Sequence, residues 1–506
     1  MEPSAPRLYC DDLETTPLPD RPRILVTGAS GYVGGRLVPE LLARGYRVRA
    51  LFRDPRAPYP RTWKGVEVAH ADCSRPHEIR EALRGVHAAY YLVHSLGVGS
   101  KDFETPDLLA ASTFRAAAAE CGVSRIIYLG ALRGRAGRES VHLRSRLRVE
   151  ETLAEGAVPV TTLRAGVIVG SGSASFEMIR SMVARHRVLP VVRAFRHRCQ
   201  PIAVRDVLKY LVGALETPAT KGLSFDIGGP GVLTYREMLE QCALVLRRKV
   251  HVFFVPDLWP GFVAWRLAMA TPVPRRIAAA LLASLSCDVV CGEEEIRRWL
   301  GFRLIPFAEA VQRALRREAC DDVPTRWADA SLGIAWGESL VGAISDPSLR
   351  RLEASRRLAE APGQVFARLV RIGGDAGWFH ANWAWRLRGA LDRLLGGVGL
   401  ERGRRSRTEL KPGDTVDFWR VEEIVEGRRL LLRSEMRAPG EAWLEFVLDP
   451  EASDRTHLRV TAFFRPRPVW GRLYWSLLLP IHVYMFHGML GRLAQAGTTG
   501  TPSAAS

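Results

Sequence analysis

Lysine is scarce in this chain of 506 residues, because only six of its 72 basic residues are lysines and the rest are arginines. A bias of this kind is typical of a GC-rich genome and excludes no class of protein. The formal net charge is nevertheless +18, with a pI near 10. Such a charge permits an anionic partner, whether phosphate, nucleic acid or acidic lipid.

Cysteine is also too sparse to organise the fold. Eight cysteines in so long a chain exclude a disulfide framework. The closest pair, Cys287 and Cys291, has no second Cys or His pair nearby at zinc spacing, so we expect no metal site. Reduced thiols are usual in the cytosol, and we therefore expect a cytoplasmic protein.

Long apolar runs are missing as well. The nearest candidate for a membrane-spanning helix, residues 475–490, falls short of the roughly 18 apolar residues required and contains Pro480 and two histidines. Residues 1–21 are acidic and proline-bearing without an apolar core, so they do not resemble a signal peptide. We expect disordered tails at 1–21 and at 496–506.

The composition, 47% hydrophobic and 25% charged, is that of an ordinary globular protein. From residue 22 to 230, short apolar runs alternate with helical patterns. Continuous apolar runs indicate strands that are buried on both faces, so the alternation predicts an α/β fold with a doubly wound parallel sheet, a Rossmann domain. The expected strands are RILVTGA, RVRALF, VEVAHAD, AAYYLVHS, RIIYLGAL, PVTTLRAGVIV and LSFDIGG.

Two further regions follow this domain. Residues 231–335 predict a mainly helical extension. Residues 340–495 predict a strand, a short helix, a tryptophan-rich connection, an antiparallel meander of four strands and a long C-terminal helix. This α+β order resembles that of a START-like helix-grip domain, which holds an apolar ligand between a curved sheet and the last helix. The tryptophans either line such a cavity or form plain core.

Three glycines at G-x-x-G-x-x-G spacing directly follow the first expected strand, in the segment TGASGYVG. Gly28 permits a tight turn, Gly31 lets the backbone approach a pyrophosphate, and Gly34 lets the next helix pack on the strand. The N-terminus of that helix offers free N–H groups and a partial positive charge to phosphate. The strand–turn–helix context therefore predicts a dinucleotide site.

The ends of the second and third strands bear on the choice of cofactor. Arg53 ends the second strand and suits the 2′-phosphate of NADP, although Asp54 follows it and an acidic residue would favour NAD. NADP is therefore our first choice and NAD the second, while Arg53 as a solvated loop charge stays open. Asp72 and Cys73 end the third strand, where the carboxylate either meets the adenine amino group or caps the next helix.

These segments, together with VPVTTLRAGVIVGSGSASFEMIR, resemble the atypical or extended short-chain dehydrogenase/reductases. The branch is that of NmrA-like and complex I accessory-subunit-like NAD(P)H-binding proteins, and the resemblance covers roughly residues 22–330. Residues 340–495 also resemble a domain of unknown function that is fused behind such reductases. The first resemblance implies further cofactor contacts, which are Ser30, Tyr32, Val33, Val93, His94, Gly130 and Arg164.

Catalytic members of that superfamily carry Tyr-x-x-x-Lys on the helix after the fifth strand. Here the corresponding positions hold His142 and Arg146. Arginine keeps the charge that would hold ribose hydroxyls, and histidine titrates near neutral pH and can exchange a proton. Either His142 and Arg146 form an altered catalytic pair, or proton transfer at this site has been lost.

The expected function is thus an NAD(P)H-binding oxidoreductase that acts on a small, hydrophobic substrate. The alternative is a non-catalytic dinucleotide sensor or assembly factor. We expect no nucleic-acid partner, because no zinc-finger spacing is present and the basic residues do not interleave with exposed-looking aromatics. Residues 465–492 contain four arginines and no acid, so the last helix either packs on its own sheet or makes a weak contact with an anionic membrane surface.

Overall fold

A computed structural model describes most of the chain. The described residues are 8–55, 59, 63–93, 104–134, 140–256, 275–292, 295–320, 323–327, 340–395, 397–400, 404, 406–467 and 469–498. They belong to two compact units, residues 1–335 and 336–506, each with its own hydrophobic core.

The first unit is built on a seven-stranded parallel sheet. Its strands are β1 (Arg23–Val26), β2 (Arg47–Phe52), β3 (Glu67–His70), β4 (Ala88–Tyr91), β5 (Arg125–Ala131), β6 (Val160–Ala165) and β11 (Ser224–Ile227). They are arranged in the order β3-β2-β1-β4-β5-β6-β11. Each of the seven expected apolar runs contains one of them, which confirms the doubly wound α/β fold. The strand order reverses direction between β1 and β4, and ligands of such sheets bind in the crevice at that point.

Helices cover both faces of this sheet. The helices are α1 (Gly34–Ala43), α2 (Pro76–Leu83), α3 (Glu104–Glu120), α4 (Val141–Ala154) and α6 (Val204–Glu216), whereas α5 (Ala174–Arg185) packs in the core of the smaller subregion described next. Successive side chains of a strand point to opposite faces. Ile24 and Val26 of β1 accordingly join the core under α1 and α6, whereas Leu25 joins the core under α2, α3 and α4.

The remaining elements of the first unit form a smaller subregion beside the sheet. They are the short strands β7 (Ile168–Val169), β8 (Val188–Val191), β9 (Arg198–Cys199), β10 (Ile202–Ala203), β12 (Leu233–Thr234) and β13 (His251–Phe254), with helices α7 (Tyr235–Val245), α8 (Arg275–Ala283) and α9 (Phe307–Ala319). The extension that we expected to be helical thus also contributes strands, and β13 pairs in parallel with β8. Residues 257–274, expected to be helical in tendency, lie outside the described residues.

The expectation of a disordered tail over residues 1–21 is wrong from Leu8 onward. The backbone N–H groups of Tyr9 and Cys10 donate to the buried carboxylate of Glu40 on α1, at 2.8 and 3.0 Å. Tyr9 and Cys10 are themselves part of the core. A buried carboxylate satisfies these two donors, and the sequence of the segment alone does not show that partner.

The second unit is built on a six-stranded antiparallel sheet. The strands are β14 (Arg350–Leu358), β15 (Thr415–Val416), β16 (Trp419–Val425), β17 (Arg429–Ser434), β18 (Gly440–Ala452) and β19 (Arg455–Pro466). Their order is β14-β19-β18-β17-β16-β15, so the first and last strands of this unit pair with each other, over nine residues of β14. The run DTVDFWRVEEI is divided into β15 and β16 by Asp417, whose φ is +55°.

The helices of the second unit are α10 (Leu340–Ala343), α11 (Pro362–Leu369), α12 (Asn382–Leu394) and α13 (Trp470–Thr498). The expected tryptophan-rich connection is therefore largely the helix α12. Helix α13 packs against the sheet, with Phe486, Met489 and Leu493 in the core. Its residues 496–498 continue the helix, although we expected a tail from 496, and residues 499–506 lie outside the described residues.

The length of the apolar run in the sequence underestimated how long and how apolar helix α13 is. Over Trp470–Gln495, this helix is long and apolar enough to cross a membrane, as judged by length and composition alone. Only 28% of its most apolar window is buried within the protein.

Candidate functional site

The turn between β1 and α1 has the geometry that the three glycines predict. Gly28 has a φ of +63°, and a Cβ there would lie 2.8 Å from the carbonyl oxygen of Leu92. A Cβ on Gly34 would lie 2.3 Å from the carbonyl oxygen of Gly28, and the N–H of Gly31 donates to the same oxygen at 2.8 Å. The turn is therefore too tight for side chains at these positions.

The N-terminus of α1 has no side-chain cap. Val33 occupies the N-cap position, no side chain accepts a hydrogen bond from the first turn, and that turn contains no acidic residue. A helix N-terminus in this state presents N–H groups and a partial positive charge to an anion. The pyrophosphate of a dinucleotide fits this end of the helix, with Ser30, Gly31 and Val33 in the turn.

Tyr32, which we expected to contact the cofactor, has its side chain engaged elsewhere. The guanidinium carbon of Arg36 lies 4.6 Å from the centre of the Tyr32 ring. Arg36 is buried, and its Nε donates to the hydroxyl of Thr325 at 2.9 Å. Burial raises the pKa of Tyr32 to about 12. The hydroxyl of Tyr32 is buried and has no hydrogen-bond partner among the described residues, so its contact with a dinucleotide stays a prediction.

Arg53 and Cys73 follow the neighbouring strands β2 and β3 at the carboxyl edge of the sheet. Burial raises the pKa of the Cys73 thiol to about 12, and the nearby positive charge of Arg53 opposes that shift. Arg53 itself is exposed. The ends of β2 and β3 thus place a cation where the adenosine ribose of a bound dinucleotide would lie. The Cys73 side chain belongs to the core, so it offers a ligand only its backbone.

Asp72 does not cap helix α2. The N-cap of that helix is Arg75. The Asp72 carboxylate instead accepts hydrogen bonds from the N–H and the hydroxyl of Ser74, at 2.9 and 2.7 Å. The helix-cap alternative is therefore wrong, and Asp72 shapes the turn that follows β3.

The guanidinium of Arg146 on α4 reaches the end of β4, close to the position expected for a nicotinamide ribose. One guanidinium nitrogen donates to the carbonyl oxygen of Val93 at 3.5 Å, and another pairs with the buried carboxylate of Asp107. The Nε–H of Arg146 is buried and has no hydrogen-bond partner among the described residues. A hydroxyl of a bound ribose would satisfy this donor, so the site fits a dinucleotide.

His142 lies one turn before Arg146 on α4. Residues four apart share a helix face, so both side chains belong to the face near β4 and β5. Helix α4 begins just before them, where the Ser140 hydroxyl accepts a hydrogen bond from the N–H of Leu143 at 3.2 Å. His142 is half-buried, and Gly130 near the end of β5 is half-buried as well. His94 lies outside the described residues.

Arg164, which we expected to contact the cofactor, forms ion pairs within the protein. Its Nε donates to both carboxylate oxygens of Glu150 at 3.0 and 3.1 Å, and Asp226 lies 3.4 Å from another nitrogen. These hydrogen bonds, first of all those to Glu150, raise the pKa of Arg164. Arg164 therefore joins β6 to α4 and β11, and its contact with a cofactor stays a prediction.

Sequence reasoning missed Asp107, which holds Arg146. Asp107 stands near the start of α3, 39 residues before its partner, and no local motif marks it. Among the described residues, no cluster of three or more His, Cys, Asp or Glu side chains could hold a metal ion.

Two family models match this chain. The model of the NmrA-like family matches residues 20–256, and the model of a protein of unknown function, DUF2867, matches residues 353–489. The chain is 31% identical over 265 residues to a (4-alkanoyl-5-oxo-2,5-dihydrofuran-3-yl)methyl phosphate reductase of Streptomyces griseus, and the match covers 52% of this chain and 85% of that protein.

Two other relatives are more distant. A ceramide reductase of Caulobacter vibrioides is 28% identical over 261 residues, which are 49% of this chain and 80% of that protein. The photosystem II assembly factor Ycf39 of Trieres chinensis is 23% identical over 235 residues, which are 46% of this chain and 72% of that protein. The relatives thus include both reductases and an assembly factor.

Proposed function

We propose that this chain, which belongs to the NmrA-like family of atypical NAD(P)-binding reductases, is an NADP(H)-dependent oxidoreductase that acts on a small, hydrophobic substrate. The observation that carries the proposal is the uncapped N-terminus of α1 behind a turn closed by Gly28 and Gly34. That turn lies at the point where the sheet order reverses. When bound, the dinucleotide supplies or accepts a hydride.

Arg53 supports NADP over NAD. It is exposed at the end of β2, and its charge acts on Cys73 at the end of β3. A guanidinium in this position can pair with a 2′-phosphate through charge-assisted hydrogen bonds. Asp54 follows directly, and an acidic residue would instead favour the free 2′-hydroxyl of NAD. The preference for NADP or NAD therefore depends on whether Arg53 or Asp54 contacts the adenosine ribose.

The experiment is a titration of the purified protein with NADPH and NADH. We expect saturable binding of both, with NADPH the tighter, and Arg53→Ala to weaken NADPH binding about tenfold or more while leaving NADH unchanged. Arg47→Ala is the matched control, because Arg47 is exposed at the opposite end of the same strand. The absence of saturable binding would overturn the proposal, and an equal effect of Arg53→Ala on both cofactors would overturn the NADP preference.

His142 and Arg146 are the residues that we propose for the reaction itself. Arg146 would hold the nicotinamide ribose through its buried Nε–H, and its pair with Asp107 keeps the side chain in place. His142 would exchange the proton that accompanies hydride transfer, since an imidazole titrates near neutral pH. We expect His142→Ala to abolish NADPH-dependent turnover of a carbonyl or quinone found by substrate screening, without weakening NADPH binding.

The hydrophobic nature of the substrate is supported by one relative and by the second unit. The ceramide reductase takes a lipid substrate, as its name states. The long helix α13 packs on the antiparallel sheet of the second unit, in the element order of a domain that binds apolar ligands. If the protein oxidises NADPH with polar carbonyls but with no lipophilic carbonyl, this part of the proposal is wrong.

A second candidate is a non-catalytic dinucleotide sensor or assembly factor. The observation in its favour is that neither tyrosine nor lysine occupies positions 142 and 146, where His142 and Arg146 stand. The relative Ycf39 is itself an assembly factor. Tight NADPH binding without turnover of any carbonyl or quinone would support this candidate. Turnover that is lost in His142→Ala would exclude it.

A further inference from the structure

Two helices of the second unit carry rows of exposed apolar side chains. On α12 the exposed residues are spaced four, four and three apart, and on α13 they are spaced three, four, four and three apart, so each row follows one helix face. We call these residues together the apolar face. They are Trp383, Leu387, Leu391 and Leu394 on α12 and Trp470, Leu473, Leu477, Ile481 and Tyr484 on α13.

The apolar face is not part of the hydrophobic core. Helix α12 buries a different side, through Trp385 and Gly389, and α13 buries a side that includes Phe486 and Met489. Leu477 is 72% exposed and Trp470 is equally exposed. A helix that packs only on its own sheet normally turns polar residues outward, and a cluster of exposed large apolar side chains marks an interaction surface.

Side-chain contacts join the two helices. The ring of His380, just before α12, lies 4.9 Å from the ring of Tyr484 in an edge-on arrangement. The guanidinium carbon of Arg388 on α12 lies 5.8 Å from the ring of Tyr474 on α13. These contacts bring the start of α12 and the middle of α13, which carry the two rows, close to each other in the second unit.

The two helices that carry the apolar face have exposed arginines and no exposed acid. Arg386 on α12 and Arg472 and Arg492 on α13 are exposed. The one acidic residue of α12, Asp392, is fully buried and accepts hydrogen bonds from the N–H groups of Gly399 and Arg437, at 2.8 and 2.7 Å. No acid occurs from residue 465 to 492. The described residues of α12 and α13 thus carry exposed positive charge and no exposed acid.

We propose that the apolar face docks the protein on the surface of a membrane that contains anionic lipids. Leucines with a fringe of arginines, and with Trp and Tyr at the boundary, are the composition of helices that lie in the plane of a membrane interface. The aliphatic and aromatic side chains enter the acyl boundary, and the arginines pair with anionic headgroups. This proposal does not depend on the proposed reductase activity.

Helix α13 lies on the membrane in this arrangement and does not span it. Its buried side is part of the core of the second unit: Trp475 stacks on Phe464 of β19 with ring centres 5.5 Å apart, and Leu493 is fully buried. A spanning helix would have to leave this sheet and expose the core. A second copy of the chain is a poorer occupant, because a symmetric contact would bring the same arginines together on both sides.

The test is flotation of the full-length protein with vesicles of phosphatidylcholine alone and of phosphatidylcholine with about one third phosphatidylglycerol. We expect binding to the anionic vesicles at low ionic strength, little binding to the neutral ones, and weakening in about 0.5 M salt. The double variant Leu387→Glu/Leu477→Glu should lower the partition coefficient at least about tenfold. Leu244→Glu is the matched control, because Leu244 is 76% exposed on α7 of the first unit.

Circular dichroism of each variant reports that the protein is folded, so a loss of flotation is attributable to the surface. Absence of binding to anionic vesicles, or equal binding by the wild type and the double variant, overturns the proposal. So does a wild-type dimer in light scattering that the double variant converts to monomer while vesicle binding is absent. In that case a second copy of the chain covers the face.

Discussion

Arg146 and Asp107 form a buried ion pair between α4 and α3. Their side chains are only 8% and 5% exposed. Removing one partner of such a pair leaves an uncompensated charge inside the protein, which typically costs about 3–5 kcal/mol, whereas replacing both by apolar groups is often neutral. The pair therefore couples the stability of the first unit to the position of Arg146 beside Val93.

We predict that Asp107→Ala lowers the free energy of unfolding by about 3–5 kcal/mol. The double variant Asp107→Leu/Arg146→Met should recover most of that stability. Its affinity for NADPH should nevertheless stay below that of the wild type, because the Nε–H donor of Arg146 is gone. Urea unfolding and NADPH titration measure the two effects separately. Wild-type stability of Asp107→Ala would contradict the buried pair, and wild-type NADPH affinity of the double variant would contradict the role of Arg146.

Gly28→Ala should weaken NADPH binding about tenfold or more, since a Cβ would press on the carbonyl oxygen of Leu92 and distort the turn. We also expect it to destabilise the protein by about 1–3 kcal/mol through its positive φ. Gly65→Ala is the control, because Gly65 has a φ of +78° and a Cβ added there would meet no atom within 4 Å. It should show the backbone cost alone, with unchanged NADPH affinity. A similar loss of affinity in both variants would show that the turn has no special role.

Glu40→Ala should release the N-terminal segment from α1. The N–H groups of Tyr9 and Cys10 would lose their buried acceptor, at a cost of about 1–3 kcal/mol. Hydrogen exchange of these two amides should accelerate strongly, while that of β1 stays slow. The exposed Glu81→Ala is the control and should leave both unchanged. Unaltered protection of Tyr9 and Cys10 in Glu40→Ala would contradict the contact.

Asp206 is predicted to make the stability depend on pH. Burial raises its pKa from 3.8 to about 6, although its Oδ2 accepts a hydrogen bond from the N–H of Ile305. A raised pKa in the folded state means that the protonated form is favoured by folding. The contribution of Asp206 is therefore complete below about pH 4, and it is lost as the pH rises through about 6.

The substitution Asp206→Asn should abolish the loss of stability that Asp206 causes as the pH rises. We expect the variant to exceed the wild type in free energy of unfolding by about 1–2 kcal/mol at about pH 7 and to have no such advantage at about pH 4. Urea unfolding at both pH values measures the difference, and Glu81→Gln serves as an exposed control. A gain that is the same at both pH values would mean that titration of Asp206 is not its cause.

The sequence by itself determined the elements whose signals are local. Apolar runs of strand length located all seven strands of the parallel sheet, because strands buried on both faces must be apolar throughout. The turn from Gly28 to Gly34 was predictable because its constraints, a positive φ and close backbone contacts, act within a few residues. The antiparallel meander and the long last helix were predictable from the same kind of periodicity.

Only the tertiary structure decided which polar groups meet. The sequence did not show that Arg164 pairs with Glu150 and Asp226, and it gave no signal that Asp107 meets Arg146. Burial of a charge demands a partner, but that partner can come from any part of the chain. In the same way, periodicity predicts an apolar helix, and only the packed sheet shows which side of α13 is left facing outward.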